Sequence, residues 1–108
     1  MITPEVLNDA LQAYVATVPN RANLADHLAS HEPADERAAI TTEITGIIGL
    51  CEDFLYGYPG GVPWTKAFVE EYREKVMQAY PWMDEASWLR INAFSQWLCW
   101  HEGLDARP

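Results

Sequence analysis

The chain has 108 residues and a mass of 12.3 kDa, the size of one domain, because two would each approach the limit below which a core no longer supports a fold unaided. Hydrophobic residues make up 49% of it and aromatic residues 12%, more burial capacity than a disordered chain carries. Sixteen acidic residues against seven basic ones give a formal net charge of −9, a field that repels phosphate backbones and argues against direct nucleic-acid binding.

The first helix is signposted at its start. Thr3 can cap it, Pro4 suits its first position, and Ile2 can staple onto Leu7. Val6, Leu7, Ala10, Leu11, Tyr14, Val15 and Val18 then recur at helical spacing until Pro19 and Asn20 end the run. Asn20 is the natural cap of a short second helix over residues 21–29, with Leu24, Ala25 and Leu28 turned inward. Its apolar face is thin, so packing against longer neighbours must hold it.

Pro33 opens the longest helical stretch, which runs to about Tyr56. Ile40, Ile44, Ile47, Ile48, Cys51, Phe54 and Leu55 share one broad face, joined by Tyr58 if the last turn continues that far. Gly46 and Gly49 sit inside this helix, where each costs about 1 kcal/mol relative to alanine. Close passage of a neighbouring helix is the simplest compensation. Residues 57–64 form a loop rich in Gly, Pro and aromatics, with Tyr58 and Trp64 as candidate contact residues. Its glycines permit positive φ and its prolines restrict the chain, so the rings are either held ready for a ligand or seal the end of the bundle.

Thr65 caps the next predicted helix, whose inward stripe is Phe68, Val69, Tyr72, Val76 and Tyr80. Asp84 caps the last helix and Gly103 stops it. Ile91, Phe94 and Leu98 define one apolar side, flanked by Trp88 and Ser95, while Leu89, Ala93 and Trp100 lie on another and Trp97 stands beside the first. A helix apolar over so much of its circumference is central in the bundle or covered by a second chain, either another copy or a different protein. Residues 104–108 are expected as a flexible tail. The predicted fold is all-α: a compact single domain of four main helices plus one short one.

No stretch reaches the length of a membrane span and no secretory signal is visible, so a cytoplasmic protein is expected. Cys51 and Cys99 lie within apolar helical stretches and read as reduced core thiols. His27 and His31 are four apart beside Glu32, Asp35 and Glu36, a weak metal-site pattern whose plainer reading is a solvated cluster at a helix end. Glu36 and Glu43 edge the long helix's apolar stripe two turns apart and are the weak acid–base candidates of a cleft enzyme. No nucleophile motif, phosphate loop or Glu-x-x-His pair accompanies them, and no cofactor is expected.

Charge and aromatic residues favour another class. Residues 1–60 hold nine carboxylates and two basic groups, residues 61–108 seven and five, so the negative field is concentrated in the first half. That suits a basic partner. Trp88, Trp97 and Trp100, with Tyr58 and Trp64, are candidate anchors, tryptophan being common among interface hot spots. The leading expectation is a protein–protein interaction module, in one form an acidic inhibitor or immunity-like protein, with homodimerisation open. A small enzyme or small-ligand-binding protein using the carboxylate-edged cleft is the alternative.

Overall fold

In the computed structural model, which describes residues 2–107, all four capping residues read from the sequence do that job. Thr3 Oγ1 accepts from the Val6 N–H at 3.2 Å and starts α1 (Pro4–Tyr14); Asn20 Oδ1 accepts from Asn23 at 3.1 Å and starts α2 (Arg21–Leu28). After α3 (Arg37–Tyr56), Thr65 Oγ1 accepts from Phe68 at 3.1 Å to open α4 (Lys66–Ala79), and Asp84 Oδ1 accepts from Ser87 at 2.8 Å to open α5 (Glu85–Glu102). Each bond satisfies an N–H that the helix itself cannot, contributing about 1 kcal/mol.

The buried faces follow the predicted periodicity. Ile40, Ile44, Ile47, Cys51 and Leu55 of α3 meet Leu7, Ala10, Leu11 and Tyr14 of α1, Phe68, Tyr72 and Val76 of α4, and Trp88, Ile91, Phe94 and Leu98 of α5 in one core cluster. Helix α1 packs against α2, α3 and α5, and α3 also packs against α4 and α5. The result is an all-α, single-domain bundle of four main helices and the short α2. It measures 48 × 24 × 20 Å. Among the described residues no helix is long and apolar enough to cross a membrane.

Several local expectations are corrected. Helix α1 stops at Tyr14, four residues early: Val15 bridges Pro19 and the Asn20 N–H bonds the Tyr14 carbonyl at 2.9 Å, a tight reversal that leaves Val18 exposed. The backbone leaves the helix already at Val15 (φ −107°, ψ 71°), and Val18, the residue before Pro19, is itself biased away from helix. Ala25 is exposed, since only Leu24 and Leu28 of α2 reach the core. Pro33 has extended backbone, and a single 3-10 turn over residues 34–36 intervenes before α3 begins. Tyr58 lies beyond the end of α3. A Cβ on Gly46 would sit 3.3 Å from the Tyr80 hydroxyl, whereas one on Gly49 would meet nothing within 4 Å. Close passage therefore accounts for Gly46 and not for Gly49.

Candidate functional site

What distinguishes α5 is how firmly its rotation is fixed. Asn8 is buried on α1 with both ends of its amide used: Nδ2 donates to the carbonyls of Pro4 (2.9 Å) and Trp82 (2.8 Å), and Oδ1 accepts from the Asp84 N–H (2.9 Å). This ties α1 to the N-terminus of α5. Gln12 Nε2 adds a 3.3 Å bond to the buried Ser87 hydroxyl. On the α4 side the Tyr72 hydroxyl lies 2.6 Å from Ser95 Oγ, which itself donates to the Ile91 carbonyl at 2.7 Å, so Tyr72 is the donor to Ser95. Farther along, Arg90 Nη1 donates to the Ala16 carbonyl at 2.9 Å and covers the peptide groups left open after α1.

With rotation set this way, the two apolar sides of α5 meet different surroundings. Trp88 is only 2% exposed and belongs to the core, so its place among the candidate contact residues is not supported by this fold. Trp97 is 40% exposed and Trp100 70%, and Leu89 is 56%. Together with the exposed Ala86 and Ala93 they form a stripe, all five lying within about 80° of one another at 100° per residue. The Trp97 ring stacks between Phe94 (6.2 Å) and His101 (4.8 Å), which holds it against the helix. Beside the stripe runs an open groove of about 440 Å³, walled by Gln12, Ala16 and Thr17 on one side and Ala86, Leu89 and Trp97 on the other.

The aromatic loop is used differently. Tyr58 and Trp64 are half-buried and both abut Phe68 edge-on, with ring centroids at 4.9 and 5.2 Å. Phe54 stacks on Tyr72 at 5.3 Å, and Tyr72 meets Trp88 at 5.4 Å, so the loop's rings continue into the core. The buried Trp64 indole N–H lies beside the Cys99 thiol. Gly60 and Gly61 take positive φ of 77° and 89°, conformations that glycine adopts without strain.

Residues 104–107, expected as part of a flexible tail, turn back toward the loop. Gly103 turns left-handed at φ 73°, and Leu104 N–H reaches back to the Cys99 carbonyl at 2.8 Å, a Schellman closure. The reversed chain then pairs with the loop: Val62 N–H bonds the Leu104 carbonyl and Ala106 N–H bonds the Val62 carbonyl, each at 2.8 Å. Pro108 lies outside the described residues.

The polar candidates separate. Glu36 accepts from His31 at 2.9 Å, a bond that holds its carboxyl below the usual value. Glu43 accepts from the Trp82 indole at 3.1 Å. The two carboxylates thus engage different partners. His27 is exposed on α2, while His31 falls beyond the helix end, where its carbonyl accepts from Arg37 Nε at 3.0 Å. Among the described residues no group of three or more His, Cys, Asp or Glu side chains is placed to hold a metal ion. Cys51 and Cys99 are buried free thiols, each raised by burial to about 11.

Comparison with protein-family models, with curated proteins and with solved structures finds no match to this chain.

Proposed function

We propose that this protein is a protein-interaction module that docks through the outward face of α5. The observation that carries the reading is the stripe of Ala86, Leu89, Ala93, Trp97 and Trp100, exposed beside an apolar-walled groove on a helix whose opposite side is core. Exposed apolar residues scattered singly need no explanation, but a contiguous set with two tryptophans has the composition of an interface centre. Among the described residues, three of the five exposed large hydrophobics belong to it, the others being Val18 and Tyr56.

Charge supports a division of labour. The stripe carries no charge, whereas Asp26, Glu32, Asp35, Glu52 and Asp53 are exposed in the first half of the chain. In one form of this reading the acidic half steers a basic partner and the α5 face supplies the short-range anchor, as in an acidic inhibitor or immunity-like protein; in the other the same face meets a further copy of the chain. The enzyme alternative draws no comparable support, because Glu36 and Glu43 are bonded to His31 and Trp82 respectively.

The test uses Leu89→Asp and Trp100→Asp in the full chain. A complex, with another protein or with further copies of this one, is expected at moderate salt and should be lost in both variants while helix content by circular dichroism stays unchanged. Retention of the complex by both variants would remove the α5 face from the function.

A further inference from the structure

The reading above leaves the occupant of the face open; resting on it, we infer that the occupant is a second copy of this chain, its α5 crossing the first antiparallel about a twofold axis at Ala93. The spacing of the stripe is symmetrical about that residue: Ala86, Leu89, Ala93, Trp97 and Trp100 follow one another at intervals of 3, 4, 4 and 3. Reversing one helix about Ala93 therefore superposes the pattern of positions on itself, placing Leu89 across from Trp97 of the second copy and Ala86 across from its Trp100. Sizes are complementary in that register. The small Ala86 lies opposite the largest exposed ring, Leu89 lies opposite the second tryptophan, and Ala93 meets its own counterpart at the crossing, where small side chains allow the axes to approach to about 8 Å.

A twofold interface requires one patch to carry both the projection and its receptor. This face does. Trp100 projects at 70% exposure near the C-terminal end of α5, and the groove that Gln12, Ala16 and Thr17 form with α5 runs from Ala86 and Leu89 past Arg90 and Ala93 to Trp97. The antiparallel crossing brings each projecting ring toward the other copy's groove.

The uncharged stripe suits a second copy. A molecule of net charge −9 meets its like with least repulsion through a surface without carboxylates, and none of the stripe residues is charged. Arg90, which lines the groove, is already engaged with the Ala16 carbonyl. With Trp97 40% and Trp100 70% exposed, the two rings offer on the order of 250 Å² of surface. Leu89, the alanines and the groove walls add to this contact area.

The experiment combines sedimentation of the full chain with disulfide trapping at two alanines. The wild-type chain should sediment as a dimer, and Leu89→Asp should weaken dimerisation thirtyfold or more. Under mild oxidation Ala93→Cys should cross-link to itself, whereas Ala86→Cys should not, because the antiparallel register separates the two copies of that position by about 21 Å along the axis. The buried Cys51 and Cys99 leave the wild-type chain as an uncross-linked control. Self-cross-linking at both alanines would mean a parallel pair and would overturn the inference. A chain that stays monomeric up to about 100 µM would overturn it as well. In that case a heterologous complex that Leu89→Asp abolishes would still leave the interaction module standing, and a complex that Leu89→Asp spares would remove both.

Discussion

The inward and outward sides of α5 are built from the same kinds of residue and meet opposite fates. Trp88, Ile91, Phe94 and Leu98 are enclosed with residues of α1, α3 and α4 in the core, while Ala86, Leu89, Ala93, Trp97 and Trp100 are exposed, the first four along the groove that α5 forms with Gln12, Ala16 and Thr17. Two tryptophans twelve positions apart on one helix differ from 2% to 70% exposed. Side-chain chemistry therefore does not separate core from contact surface in this molecule. The separation comes from polar groups, Asn8, Gln12, Tyr72, Ser87 and Ser95, which hold the helix at one rotation.

The sharpest way to probe that contrast is to truncate one tryptophan on each side. Trp88→Ala leaves a cavity among fully enclosed neighbours and should cost about 3–5 kcal/mol of unfolding free energy. Trp100→Ala should change stability by no more than about 0.5 kcal/mol, its effect falling on assembly. Equal losses in urea titrations of the two variants would mean that the outward side is also core.

A smaller effect is expected from the clamp itself. Asn8→Leu keeps the volume but leaves the Trp82 carbonyl and the Asp84 N–H without their partner, which should cost about 2–4 kcal/mol. Because the clamp orients the start of α5, the same variant should also weaken assembly. A variant that loses stability while assembling normally would show that the remaining bonds fix the rotation without Asn8.

The smallest effect is read in alkaline solution. Burial raises the Cys99 thiol, on the inward half of α5, from 9.0 to about 11. The folded state thus favours the protonated thiol, a contribution to stability that is fully present below pH 9 and lost as pH rises through about 11. Denaturant midpoints measured across this window should fall, and the fall should be shallower in Cys99→Ala. An identical slope in the variant would assign the alkaline loss to other groups.

Helix starts were legible in the sequence because a cap is a local event: Thr3, Asn20, Thr65 and Asp84 each bond an N–H three residues on, wherever the rest of the chain lies. The inward faces of α3 and α4 were legible for a related reason, since only one side of each repeats apolar residues at helical spacing. The same reasoning could not choose between the two sides of α5, and it set Trp88 among the contact candidates beside Trp97 and Trp100. It also missed Asn8, whose partners lie 74 and 76 positions away, and the pairing of Val62 with residues 104–106. Periodicity and capping, which act within a few residues, were thus determined by the sequence alone. Which apolar side is enclosed, whether Gly46 has a neighbour when Gly49 does not, and where the chain after Gly103 comes to rest were decided by tertiary structure, because each depends on a hydrogen bond or contact between segments far apart in the chain.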